Sequence, residues 1–265
     1  MRIIYNWLFS FALILFVTLP WESKANSTKP PGFKAITLDL APWGIRQDAG
    51  YTGAFYLPME LIIKNFGYPV DHQLIPLKRA LMGMKTADSF DLAIFTPGPH
   101  SKDLIDLGVV LKGIKLIFLS RKGLKVNEVS DIDRKWLIGT PRGISASTPV
   151  LNSGKYNIVY VDGNRSGMRM LARGRLDAFL ETNVSISMVA ESLSLDRNAF
   201  DKPITLVDES IFPAILYLNK KTRMSSKVQK ELSGTVSNLR ESGKLQVFVD
   251  DALRWLHGGE QAKAR

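Results

Sequence analysis

The sequence predicts an α/β fold, with mainly parallel sheets flanked by helices, and three observations predict it. Short apolar or alternating runs take turns with stretches of helical period along most of the chain. Several strand-like runs are apolar throughout, as expected where both faces of a sheet are covered. The chain of 265 residues is long enough to bury a large core, as one domain or as two lobes.

The elements follow in order. Residues 1–25 carry Arg2, an apolar run over 7–19, then Pro20 and Ser23-Lys24-Ala25. This is the pattern of a secretory signal peptide cleaved near Ala25. A membrane anchor is the alternative, but the run is short of the roughly 20 apolar residues a bilayer span needs. There is no cysteine, so neither a disulfide nor a lipid-bearing cysteine is possible. Cleavage removes two cations and one acid and takes the formal charge from +10 to +9. The basic residues are dispersed, without a basic-aromatic array, so surface charge or the drawing-in of anionic solutes is expected rather than nucleic-acid binding.

Beyond a polar lead-in at 26–32, residues 34–40 read as a strand and 41–53, with Pro42 and three glycines, as a loop. The stripe Leu57, Leu61 and Lys64 beside Tyr56, Met59, Ile63 and Phe66 predicts a helix over 54–66, ended by Gly67. Strands are expected at 70–75, 90–95, 114–120, 136–139, 156–161, 176–181, 204–207 and 214–219. Helices are expected at 77–85, 145–152, 164–173 and 183–195. Two amphipathic helices close the chain. The first carries Val228, Leu232, Val236 and Leu239, with Ser226 and Gln229 spaced as a capping box; the second carries Leu245, Phe248, Ala252 and Trp255.

Four segments carry a resemblance. They are Thr37-Leu38-Asp39-Leu40-Ala41-Pro42-Trp43; Pro76-Leu77-Lys78-Arg79-Ala80-Leu81 followed by Phe90-Asp91-Leu92-Ala93; Trp136-Leu137-Ile138-Gly139-Thr140-Pro141-Arg142-Gly143; and 168–179 (MRMLARGRLDAF). In this order, after a signal peptide, they resemble the family 3 extracellular solute-binding proteins, whose fold is that of type II periplasmic binding proteins. The resemblance implies a two-lobed protein whose chain crosses twice. Lobe one would hold 33–119 and 208–257, and lobe two 120–207. A small polar or anionic organic solute would sit in the crevice at the carboxyl ends of the strands. A periplasmic monomer would deliver it to an inner-membrane ABC permease, or report it to a membrane receptor.

The candidate site residues follow, with the other reading of each. Trp43, in a loop after a strand and a proline, offers a ring to stack on ligand, or is a core residue. Arg79, at a helix start, offers a fork for a carboxylate or phosphate, or makes a surface ion pair. Thr96 precedes Pro97-Gly98-Pro99 and offers a hydroxyl, or marks a plain turn. Arg142 and Ser145 lie between a strand and a helix, where free N–H groups favour an anion; Ser145 also suits an N-cap. Glu181 ends a strand at the expected crevice edge, as an acceptor for an amine or hydroxyl, or as a surface carboxylate.

The pattern departs from the amino-acid-binding members of that family. A Thr-x-x-Arg is replaced by Thr96-Pro97-Gly98-Pro99, and the acid that meets an α-amino group is replaced by Thr182, with Glu181 one step early. Both departures weigh toward another organic anion or polar solute. A periplasmic dehydratase on the same fold is the enzyme alternative, with Glu181 as proton donor. Other catalytic patterns fail. His72, His100 and His257 stand apart, and there is no Gly-x-Ser-x-Gly, phosphate loop or cysteine nucleophile. The expectation is a binding protein, not an enzyme, without cofactor or metal.

Overall fold

The computed structural model describes residues 32–83, 90–141, 153–207 and 212–257. The expected signal peptide and the helix expected at 145–152 lie outside them.

The first strands form around an apolar centre. β1 (Phe33–Leu38) is followed by a hairpin of β2 (Ile45–Gln47) and β3 (Gly50–Thr52), helix α1 (Tyr56–Phe66), β4 (Val70–Ile75), helix α2 (Leu77–Gly83), β5 (Leu92–Phe95) and β6 (Leu104–Leu111). β7 (Leu116–Ser120), β8 (Leu137–Pro141) and β9 (Asn157–Val161) follow. After these come α3 (Asn164–Ala172), β10 (Ala178–Thr182), α4 (Asn183–Ser192), β11 (Ile204–Val207), β12 (Ala214–Asn219), α5 (Ser226–Glu241) and α6 (Gln246–Ala252).

The strands build two five-stranded sheets, ordered β4-β1-β5-β12-β6 and β11-β7-β10-β8-β9. β5, β7, β10 and β12 are buried along their whole length, because side chains pack on both faces. In the first sheet, one face meets α1, α5 and α6 through Ala35, Leu92, Ile94 and Leu216. The other face gathers Ile36, Ala93, Phe95 and Ile215. In the second sheet, Ile117, Leu119 and Phe179 meet α3 and α4, while Phe118, Ile138 and Leu180 fill the opposite face.

Each sheet is mixed. β4, β1 and β5 are parallel, in accord with helices α1 and α2 between them, and β9, β8 and β10 are parallel as well. The strands at the crossings, β6, β7, β11 and β12, pair antiparallel. The chain passes between sheets after Leu111 and again after Val207. The strand Leu116–Ser120 hydrogen-bonds with β10 and β11, so it belongs to the second sheet. The first crossing therefore precedes the boundary at 119/120 expected from the sequence.

Three further differences have local causes. β6 carries Gly108 at φ 124° and pairs with β12 through register shifts, which break the alternation that marks a strand. The β2–β3 hairpin is mostly exposed and has no apolar face to announce it. α5 is capped by Ser225, whose hydroxyl accepts from Val228 N, not by Ser226. Gln229 instead donates its amide to Met224 O at 2.8 Å.

Two elements lie on the seam between the sheets. In α4, Val184 packs with the core of the first sheet, while Ile186, Val189 and Ala190 pack with that of the second. In and just after α6, Val249 and Ala252 join the first core, and Trp255 and Leu256 pack against the second. A helix between two cores is buried nearly all round, which is why α4 shows so little amphipathic contrast.

Candidate functional site

On the first sheet, the residues of interest follow the carboxyl ends of β1 and β5. The turn after β1 contains the cis Ala41–Pro42 bond and is closed by the Trp43 N–H donating to Leu40 O at 2.8 Å. The Trp43 carbonyl accepts from Phe55 N and Tyr56 N, tying the turn to the start of α1. A side chain at Gly53 would meet that carbonyl at 2.4 Å, and Gly53 has φ 132°, so only glycine fits. The Trp43 ring is half-buried and stacks on Phe55 with centroids 4.4 Å apart, so it also packs against the core. Arg79 is exposed on α2, and Thr96 is partly buried directly after β5.

On the second sheet, β8 leads toward Arg142 and Ser145, which lie outside the described residues. β10 ends in Glu181 and Thr182. The Thr182 hydroxyl caps α4, accepting from Ser185 N at 3.2 Å and donating to Ser185 Oγ at 2.9 Å. Glu181 is only 4% exposed. Its Oε1 accepts the Thr182 N–H at 2.7 Å, and the polar side chains of Thr182, Ser185 and Asn164 lie near the carboxyl. Burial pushes the carboxyl up to about 7, against the opposing pull of these donors. The Glu181 carboxyl is therefore held inside the protein, near the starts of α3 and α4.

Asn183 is a residue that sequence reasoning missed. Its Oδ1 accepts from Lys115 N at 3.0 Å and its Nδ2 donates to Gly113 O at 2.7 Å. Its own N–H donates to Lys115 O at 2.9 Å. One side chain thus pins the first crossing segment to the start of α4. An asparagine at a helix start is a common signal, and nothing local reveals a partner 70 residues away.

A chain of polar groups links β1, β4 and α1. His72 Nε2 lies 2.9 Å from Thr37 Oγ1, and His72 Nδ1 lies 2.5 Å from Glu60 Oε1. Tyr56 stacks on the imidazole at 4.4 Å. The order hydroxyl, imidazole, carboxylate is that of a nucleophile and its base. Thr37 is 1% exposed, however, so its hydroxyl meets packed protein and not a substrate. Desolvation lowers the His72 pKa, against the pull of Glu60. Among the described residues, no group of three or more His, Asp or Glu side chains is placed to hold a metal ion.

No protein-family model and no curated protein matches the chain. Solved structures do. An ancestral cationic amino acid solute-binding protein is similar with TM-score 0.67 at 15% identity, over 84% of this chain and 95% of that one. The L-cystine solute receptor of Neisseria gonorrhoeae, in its unliganded open conformation, is similar with TM-score 0.62 at 14% identity, over 84% and 92%. A Streptococcus mutans structure, described in the context of glutathione import through a cystine ABC importer, gives 0.63 at 15% identity, over 84% and 94%.

The chain has the type II periplasmic-binding-protein fold. The fold accounts for the paired sheets and for the chain passing out of the first sheet and back. It brings Trp43 and Thr96 to strand ends of one sheet and Thr182 to a strand end of the other. Among the described residues, no helix is long and apolar enough to cross a membrane.

Proposed function

We propose that this chain is an exported solute-binding protein that takes a small polar or anionic organic solute into a crevice between two lobes. One lobe is built on the first sheet and the other on the second. The observation that carries this reading is the pair of sheets joined by crossings at 111–116 and 207–214, with loops from both sheets at strand carboxyl ends. The similar structures include solute-binding proteins for cationic amino acids and L-cystine, which supports capture rather than chemistry. The protein works as a monomer in the periplasm and hands its solute to an ABC-type permease of the inner membrane.

The donors named from the sequence favour an oxygen-rich guest. The carboxyl of Glu181 is turned inward, and the buried start of α4 satisfies its own N–H groups within the protein, so neither is offered to the guest. Exposed Arg79 supplies a cation from the first lobe, and Thr96, Arg142 and Ser145 supply further donors.

Native mass spectrometry of the protein purified from its own periplasm tests this. A non-covalently held guest of defined mass is expected, and adding that compound raises the melting temperature. Protein that never carries a guest, and that no candidate compound stabilises, rules the reading out. With a guest in hand, Arg79→Ala should raise Kd by roughly 10- to 100-fold, the usual range for a charge-assisted hydrogen bond. Unchanged affinity in a folded variant removes Arg79 from the site.

A further inference from the structure

The C-terminal segment makes a third connection between the two sheets. α6 belongs to the first core through Val249 and Ala252. Three residues later the Trp255 indole N–H donates to Leu195 O at 2.6 Å, beyond the end of α4. The Trp255 ring meets Phe200 edge-on with centroids 5.6 Å apart, and the Arg197 guanidinium sits 5.6 Å from its centroid. Leu256 packs against the core of the second sheet, and Arg254 approaches Glu191 at 3.8 Å. Phe200 itself is bridged to Arg121, at the end of β7, so the indole rests on the body of the second half.

These contacts lie at the opposite end of α4 from Thr182. A cavity of about 770 Å³ opens beside them, lined in part by Lys122, Leu195, Lys202 and His257. It is remote from the strand ends proposed to hold solute, and it leaves space beside the indole.

We propose that 253–257 is a strap that sets the angle between the two halves, with Trp255 as its buckle. The inference rests on the reading that the halves move. The two crossing segments are single chain passages, which permit hinge motion. A third, non-covalent attachment behind α4 restricts that motion, because any change of angle must slide or break the indole contacts. Free rotation of the halves is thereby replaced by a choice between the docked angle and a released state.

The test uses the absence of native cysteine, which confines spin labels to engineered positions. Labels are placed at Lys64→Cys on α1 and Arg169→Cys on α3, both exposed. Electron–electron distance measurement on the solute-free protein is expected to give one narrow distribution. Trp255→Ala should add a second distance and shift the ratio of the two populations by about tenfold, the change that losing about 1.4 kcal/mol produces. A folded Trp255→Ala with the original distribution overturns the strap. Should that variant not fold, Trp255→Phe keeps a smaller aromatic ring beside Phe200 and deletes the bond to Leu195. A broadened distribution for it supports the strap, and an unchanged one overturns it. The measurement needs no solute, so a failure of solute capture shows separately, as protein that never carries a guest.

Discussion

Replacing Glu181 with glutamine is expected to remove most of the loss of stability that the wild-type protein shows as pH rises from 5 to 8. The carboxyl is fully enclosed and its folded-state pKa is pushed up to about 7, from an ordinary 4.5. A group raised in this way contributes stability that is complete below the unfolded value and is lost as pH climbs through the folded one. The difference corresponds to on the order of 3 kcal/mol between pH 4.5 and pH 8. Its surroundings are Thr182, Ser185 and Asn164, none of them charged, so the effect belongs to Glu181 itself. His72 acts in the other direction. Its lowered pKa means that stability present above about 6.5 is lost as pH falls. Urea unfolding of both proteins at several pH values isolates the Glu181 contribution as the difference between two curves. Glutamine should be the more stable at pH 8, with the gap closing toward pH 5. Two curves that stay parallel across this range would show that Glu181 ionises freely in the folded state.

The second large effect concerns Phe179, which has no exposed surface. A Cβ at Gly167 on α3 would stand 2.2 Å from its ring, and one at Gly139 on β8 would stand 3.1 Å from it. α3 therefore approaches the sheet closely because a glycine faces an aromatic ring. Phe179→Ala is expected to cost about 3–5 kcal/mol, as truncation of a core aromatic does. Gly167→Ala should cost about 1–3 kcal/mol through overpacking, although alanine is the better helix former. The double variant should cost less than the two single changes together, because the new methyl enters the space left by the ring. Denaturant midpoints of the four proteins close the cycle. Strict additivity, or a Gly167→Ala protein as stable as the parent, would show that the contact has room to relax.

Much of the architecture was legible before any coordinates. The apolar runs of β5, β7, β10 and β12 announce central strands, since a strand covered on both faces has no polar face to alternate. Gly67 and Gly174 stand after α1 and α3 in left-handed conformations, at φ 77° and 67°, where a helix stop is expected. β6 was hidden because a bulge at positive-φ Gly108 breaks its period, and the β2–β3 hairpin because it buries almost nothing.

The candidate site was less legible. In the sequence Trp43 reads either as a ring for ligand or as a core residue, and its stacking on Phe55 shows that it packs against the core. Glu181 was placed at a strand end, but a strand end does not say toward which face a side chain points. Alternation puts Glu181 on the face of Phe179, under α3 and α4.

What the sequence determined by itself is local and periodic: which runs become strands, where helices stop, and which faces are apolar. Those properties depend on neighbours within a turn or two along the chain. The tertiary structure alone decided that Asn183 pins the 113–115 segment, that Glu181 is sealed among donors, and that Trp255 fastens the tail to the second half. Each depends on partners brought from afar by the meeting of two sheets, and no pattern of spacing along a chain records the angle at which two cores come together.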